Sequence, residues 1–275
     1  MIRLICPVKA CGAPLGREPN ALRCGAGHSF DVARSGYANL LQPQDRKSSN
    51  PGDTREAVAA RRRLLSRGIG DGLAAAIGAM LAARGIGAGT VIMDAGCGEG
   101  FHLADACARL GAAGCGIDIS TPAIDLAAKR HRKLTWIVAN ADRAIPLANG
   151  SVDAVLSITA RINRDEFARV LKPGGVALVA VAAADDLAEL RDAVLGESTE
   201  KDRAQSAIES LAPRFRLEER TRHAETLDLN HASLLDLLAS TYRGQRRSQE
   251  HALEGVERMR VTSSRELLLL RRIEN

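Results

Sequence analysis

The sequence predicts an α/β protein built on a doubly wound, mostly parallel sheet, with a small Cys/His module ahead of it. Three observations predict this. From residue 71 onward, short apolar runs alternate with segments of helical periodicity. One such run, Val91-Ile92-Met93, leads straight into Asp94-Ala-Gly-Cys-Gly-Glu-Gly100, and a helix-like segment from Phe101 to Leu110 follows. A strand entering a glycine-rich turn and then a helix is how α/β proteins hold nucleotide-like ligands. Near the N-terminus, Cys6, Cys11, Cys24 and His28 fall within 23 residues.

Those four residues form the pattern C-x4-C-x12-C-x3-H. Two short-spaced ligand pairs separated by about a dozen residues suit tetrahedral zinc. Gly12, Pro14, Gly16, Pro19, Gly25 and Gly27 supply turn residues around them. A segment this short buries too little apolar surface to fold alone, so a structural metal supplies the missing stability. Free cysteines or two disulfides are the competing readings; disulfides suit a chain outside the cytoplasm, whereas nothing here reads as a signal peptide. No run of eighteen apolar residues is present, so no membrane span is expected and a cytoplasmic location is. Cys97, Cys107 and Cys115 read as small core residues.

Charge is uneven. Residues 1–70 carry 12 Lys and Arg against 5 Asp and Glu, a net +7, while the remaining 205 carry 26 against 28. A basic N-terminal end implies a polyanionic partner, the alternative being a solvated arginine-rich surface. The polar stretch Gln42–Asn50 and Pro51-Gly52 lead to Asp53, which with Glu56 reads as a variant capping box for a helix reaching about Arg67. Arg55, Arg61, Arg62, Arg63 and Arg67 on that helix point several ways, so some should face solvent or phosphate. The domain reading is a zinc module over 1–40, a basic linker and helix over 41–70, and a catalytic domain over 71–275.

Beyond residue 71 the expected elements are helix 71–84, strand 91–95, helix 100–110, strand 114–118, helix 122–131, strands 135–140 and 152–159, helix 163–171 and strand 175–183. Helices over Asp185–Leu195, Thr199–Leu211 and His231–Ser240 follow, with strands over Phe215–Arg222 and Arg265–Ile273. A terminal strand inserted antiparallel would complete a seven-stranded sheet.

The spacing D-x-G-x-G-x-G differs from the G-x-G-x-x-G of dinucleotide enzymes and lacks the G-K-[ST] ending of a P-loop. It resembles motif I of the class I S-adenosylmethionine (SAM) methyltransferases, which implies a seven-stranded sheet and places Asp94, Gly96, Gly98 and Gly100 at the cofactor. Asp118 ends the next strand, 22 residues after Gly96, where a carboxylate accepts from ribose hydroxyls; the alternative is a helix cap, a role for which Ser120 is better suited. Asn140 or Asp142, ending the third strand, would contact adenine, and which of them does so is left open. Ser151–Ser157 and Leu171-Lys-Pro-Gly-Gly175 match the fourth strand and the turn before the fifth. The acceptor would lie over Thr159–Asn163. No [N/D]-P-P-Y motif or Pro-Cys nucleophile occurs there, which argues against adenine-amine and pyrimidine-C5 methylation.

Taken together the chain resembles the 23S ribosomal RNA guanine-N1 methyltransferases, some of which confer macrolide resistance. The resemblance rests on the Cys6–His28 ligands, His28-Ser-Phe-Asp31, Gly36-Tyr-Ala-Asn-Leu-Leu41, Pro51-Gly-Asp53, Ala60-Arg-Arg62, the glycine turn, Gly116-Ile-Asp118 and Arg169–Gly175. It implies SAM as methyl donor, structural zinc, ribosomal RNA as partner and a homodimer with a basic cleft. The chain departs from the family after the fourth strand, where it has Ile158-Thr-Ala-Arg161, and after the basic helix, at Gly68-Ile-Gly70. Guanine N1 must lose a proton, for which Asp142 and Asp165 are candidate bases. Two other readings stand beside this one: a small-molecule methyltransferase on the same scaffold, and a non-catalytic zinc-dependent RNA-binding protein.

Overall fold

A computed structural model describes residues 2–45, 51–196, 202–241 and 251–274. The end of the polar linker (46–50) and the start of the helix expected from Thr199 lie outside the described residues. The N-terminal module is a three-stranded antiparallel ribbon of β1 (Leu15–Arg17), β2 (Ala21–Cys24) and β3 (Ser29–Asp31). It is bound into the rest of the molecule: Leu4 bridges Leu147, Ile5 N donates to Pro146 O at 3.0 Å, and Leu22 lies in the main core.

The central sheet has eight strands where the sequence predicts seven. The extra one is β4 (Ala38–Asn39), a short piece of the chain after the zinc module that pairs in parallel with β7 (Thr135–Val138) at the sheet edge. Inward from β7 run β6 (Ala113–Asp118), β5 (Val91–Ala95), β8 (Val152–Ile158) and β9 (Leu171–Ala182), all parallel. The long β11 (Arg258–Arg272) inserts antiparallel between β9 and β10 (Phe215–Asn230), as the terminal-strand expectation requires. Both outer strands exceed their expected lengths, since β10 continues eight residues past Arg222 and β11 starts at Arg258. Along these extensions only two alternating large apolar residues per strand, Leu227 and Leu229 facing Val261 and Met259, are interleaved with charged and polar ones, and they pack in a small cluster of their own.

Eight helices complete the fold among the described residues: α1 (Arg55–Leu65), α2 (Asp71–Ala82), α3 (Phe101–Leu110), α4 (Thr121–Arg130), α5 (Arg164–Val170), α6 (Ala188–Leu195), α7 (Arg203–Leu211) and α8 (His231–Ser240). Ser120 caps α4 through its hydroxyl, accepting from Ala123 N. The expected Asp53–Glu56 capping box is not what begins α1. Thr54 is the cap, its hydroxyl accepting from Ala57 N at 3.2 Å, and this leaves the Asp53 carboxylate free to pair elsewhere. Apolar side chains of β5 to β9 are buried on both faces, as a parallel sheet covered by helices requires.

One packing contact sets the turn between β5 and α3. The single tryptophan, Trp136 of β7, is 2% exposed and donates its indole N–H to His131 O at 3.0 Å. Its ring occupies the space that side chains at Gly100 and Gly116 would need, with a Cβ there falling 2.1 and 2.2 Å from ring carbons. Gly116→Ala is therefore expected to lower stability by about 1–3 kcal/mol through overpacking, with partial recovery in Gly116→Ala/Trp136→Phe. Urea unfolding followed by circular dichroism checks both; a neutral Gly116→Ala contradicts the packing.

Candidate active site and zinc centre

The cysteine and histidine ligands come together on two tight turns. Cys6 N donates to Ala13 O and Cys11 N to Val8 O, while Cys24 N donates to His28 O and Gly27 N to Cys24 O, all between 2.8 and 3.0 Å. The donor atoms of Cys6, Cys11, Cys24 and His28 all lie within 4.8 Å of one another. Cys24 Sγ is 3.3 Å from His28 Nδ1, Cys6 Sγ is 3.5 Å from the same nitrogen, and Cys11 and Cys24 sulfurs are 3.9 Å apart. A tetrahedron with Zn–S of about 2.3 Å and Zn–N of about 2.0 Å has edges of roughly 3.5–3.8 Å. The four donors therefore fill the coordination of one zinc ion, and no fifth group joins their cluster among the described residues, so the metal is structural.

The second centre lies at the carboxyl ends of β5 and β6, where ligands bind in open α/β sheets. Gly96 and Gly98 adopt positive φ (78° and 54°), which turns the chain sharply at the end of β5. Asp118 holds this turn from the neighbouring strand: one carboxylate oxygen accepts from Gly98 N and the other from Ser120 N, each at 2.8 Å. Burial raises the Asp118 pKa, and these two amides counteract the shift. Asp94 is 2% exposed, and its Oδ1 has no hydrogen-bond partner. Burial, with the nearby Asp118 charge, pushes its pKa up to about 8. Glu99, inside the turn, is 4% exposed and neither of its oxygens is hydrogen-bonded; burial raises its pKa, opposed by Arg62 at 3.8 Å. Buried carboxylates without partners are costly unless a cation or donor completes them. SAM brings a sulfonium, an ammonium and two ribose hydroxyls, so these residues fit the group.

The loops that follow the other strands are tied to each other. Asn140 uses both ends of its amide within the protein, donating to Asp45 O and accepting from Asp142 N, each at 3.1 Å. Asn163 caps α5 and donates to Ala141 O and Asp142 O at 3.1 and 3.0 Å, joining the loop after β7 to the loop after β8. At the end of β8, Thr159 takes a left-handed conformation (φ 52°) while its N–H still donates to Ala180 O at 2.8 Å. The next residue, Ala160, then lies over the glycine turn: a Cβ on Gly96 would fall 2.5 Å from Ala160 Cβ. Arg161 follows with a 78% exposed side chain, 3.5 Å from the Asp142 carboxylate. Asp165 belongs to a different place, an exposed pair with Arg214 at 3.1 Å, which lowers its pKa and weakens it as a base.

The arginines of α1 are engaged within the molecule. Arg61 pairs with Asp53 at 2.6 Å, donates to Ser240 O at 2.9 Å, and lies over Gly98. Arg62 faces Glu99, Arg63 grips Asp236 of α8 through two nitrogens, and Arg67 donates to Ser233. Gly52 (φ 84°) fits so closely on Ile119 and Ser120 that a Cβ would fall within 2.9 Å of both, and Ser120 Oγ donates to Asp53 O at 2.7 Å. Glu99, Asp53 and Arg61 are thus part of the cofactor-side architecture, although none was a candidate from the sequence. An acidic residue inside a glycine turn was the available signal for Glu99; the other two are brought there only by the path of the linker.

The fold and the carboxylate-lined glycine turn define a class I SAM-dependent methyltransferase. Residues 92–175 match the methyltransferase domain family, and residues 4–50 match the zinc ribbon described as RlmA, N-terminal. The 23S rRNA (guanine(748)-N(1))-methyltransferase of Streptomyces fradiae is 39% identical over 234 residues, covering 84% of this chain and 81% of the relative. A protein of Micromonospora griseorubida assigned the same type of activity is 35% identical, covering 86% of this chain and 84% of the relative. Among solved structures, the YcgJ protein of Bacillus subtilis superposes with a TM-score of 0.53 at 13% identity, over 72% of this chain and 98% of that one, a likeness of fold. The chain belongs to the family of 23S rRNA guanine-N1 methyltransferases. No helix among the described residues is long and apolar enough to cross a membrane.

Two outcomes are expected of these centres. Natively purified protein carries a single zinc ion, whereas Cys24→Ala carries none and is cleaved by protease within residues 2–31; metal-free wild type would refute the centre. At pH 7, below the Asp94 pKa of about 8, the unliganded carboxyl holds a proton that an incoming cation must expel. SAM binding is therefore expected to release a proton, measured by calorimetry in buffers of different ionisation enthalpy, and Asp94→Asn should abolish the release and weaken binding by roughly tenfold or more.

Proposed function

We propose that this enzyme transfers the methyl group of SAM to N1 of a guanine in a hairpin of 23S ribosomal RNA. The observation that carries the proposal is the junction of a closed zinc ribbon and a SAM-type glycine turn in one core, shared over more than four-fifths of the chain with the Streptomyces fradiae enzyme. In this reading Asp94 receives the ammonium of the methionine portion, and the backbone of Gly96, Gly98 and Gly100 borders the cofactor. Asp118 accepts from the ribose hydroxyls with the lone pairs that Gly98 and Ser120 leave free. Asn140 and Asp142 border the adenine through the loop they brace, because the Asn140 amide is already used within the protein.

SAM supplies an electrophilic methyl on a positively charged sulfur. The protein's part is to align the acceptor with that methyl, exclude water and accommodate the loss of the N1 proton. Guanine N1 lies on the pairing edge, so the base must leave its stack before it can be reached. We place it beside the Thr159–Asn163 loop, where Ala160 lies over the glycine turn. The basic excess of residues 1–70 supports a polyanionic acceptor over a small metabolite, and the buried carboxylate oxygens without hydrogen bonds at the glycine turn, on Asp94 and Glu99, support catalysis over RNA binding alone.

The test is transfer of labelled methyl from SAM to 23S rRNA and to a metabolite extract, with primer extension to locate an N1-methyl stop. Labelled RNA with one stop at a hairpin guanine is expected. Label in the extract alone would replace this reading with the small-molecule one, and failure to bind SAM would favour a non-catalytic RNA-binding role. Sedimentation of the same protein tests the homodimer that the family resemblance implies.

A further inference from the structure

Resting on the guanine-N1 reading, we propose that Arg161 is the residue that selects guanine and stabilises the charge that develops on it, by donating to O6 and N7 of the flipped base. Three features of the loop after β8 carry this. Its position is fixed: Thr159 is left-handed and Ala160 sits against Gly96, so the chain rises directly over the glycine turn before Arg161 begins. A non-glycine residue held at positive φ is strained, so the surrounding contacts impose this path. The loop is also braced from below, where Asn163 holds the backbone of Ala141 and Asp142. Finally, the guanidinium is free to act outward. Arg61, Arg62 and Arg63 of α1 and the following Arg67 are engaged with Asp53, Glu99, Asp236 and Ser233, whereas Arg161 is 78% exposed and its ion-pair partner among the described residues is Asp142 at 3.5 Å, beyond a charge-assisted hydrogen bond.

The chemistry matches an arginine at that place. The guanidinium has donors and no acceptor, and its planar fork pairs with O6 and N7 of guanine. Adenine presents an amino group where guanine has O6 and is refused. Those two atoms lie on the edge away from the sugar, and binding them leaves N1 open to the methyl. When the N1 proton passes to solvent, the negative charge is shared between N1 and O6, and the guanidinium stabilises it there. The N1 lone pair then forms the new N–C bond while the S–CH3 bond breaks and its electron pair returns to sulfur, so the base anion and the sulfonium cation give two uncharged centres.

The experiment uses the zinc-loaded, full-length enzyme and a 23S hairpin transcript made with guanosine or with 7-deazaguanosine, in which N7 is replaced by carbon. Single-turnover methylation and RNA affinity are measured for wild type, Arg161→Met and Arg161→Lys. Wild type is expected to lose about tenfold in rate on the 7-deaza RNA, as one of two fork bonds is removed. Arg161→Met is expected to be about a hundredfold slower on ordinary RNA, near wild type in RNA affinity, and indifferent to 7-deaza substitution; Arg161→Lys, with a point charge and no fork, falls between. An equal 7-deaza penalty in wild type and Arg161→Met, or a defect confined to RNA affinity and its salt dependence, would overturn the proposal and make Arg161 a phosphate contact. Absence of an N1-methyl stop in the wild-type reaction would instead refute the guanine-N1 reading itself, so the two failures are distinguishable.

Discussion

The turn between β5 and α3 can close only because Trp136 fills the room left by two missing side chains. Gly100 and Gly116 belong to neighbouring segments, and neither could carry a Cβ with the indole where it is. The ring in turn is fixed by its own hydrogen bond to His131 O and by burial. This arrangement brings the β6 end close enough for the Asp118 carboxylate to reach Gly98 N, and so shapes the glycine turn from beneath. The glycines of one motif therefore serve different ends: Gly96 and Gly98 lie beneath Ala160 and Arg61, whereas Gly100 makes space for packing. A β-sheet interior is close-packed, and such a ring has no alternative position to move to.

Electrostatics follow from the same turn. Three carboxylates, Asp94, Glu99 and Asp118, are buried there in a low-dielectric setting, and the charge of Asp118 adds to the cost of burying Asp94 as that of Asp53 does for Asp118. The protein offsets part of this with Arg61 and Arg62, brought in from the linker helix. A cationic cofactor offsets more, which gives the ligand a direct effect on the stability of the turn. The basic helix is consequently less an RNA-facing surface than its composition implies. Three of its four arginines, and Arg67 just beyond its end, are engaged within the protein, leaving exposed Arg55 together with residues of the N-terminal module such as Lys9 and Arg17 to face a polyanion.

Much of this was legible in the sequence, for identifiable reasons. The parallel strands are buried on both faces, so they read as apolar runs, and Ser120, Asn163 and Asn230 mark helix starts with side chains that cap them. The zinc ligands were legible because four donors at short spacing leave few other roles. What escaped were features decided by tertiary contact. The two residues of β4 become a strand only because β7 offers an open edge. Thr54 caps α1 in place of Asp53 because Asp53 is drawn to Arg61. The outer halves of β10 and β11 are held by pairing to each other, with Arg258 bonded to Asp228 across the pair, and their alternating apolar residues, Leu227, Leu229, Met259 and Val261, are too few among charged ones to mark the full strand length. Asn140 looked available to adenine, yet its amide is committed to the linker.

The zinc ribbon has a physical route to the catalytic side of the sheet. The segment holding the first ligand pair bridges Leu147, and the carbonyls of Ile145 and Leu147 accept from Arg169 at 2.6 and 2.7 Å. Arg169 is clamped to Glu166, whose other bond is to Ile145 N at 2.6 Å, and α5, which carries both, begins at Asn163. Asn163 then fixes the loops after β7 and β8 that border the acceptor position. These links are one β-bridge and hydrogen bonds of 2.6–3.1 Å. The metal therefore does more than fold the N-terminal residues. By holding the ribbon together it also anchors the segment that supports α5 and, through Asn163, the loops after β7 and β8.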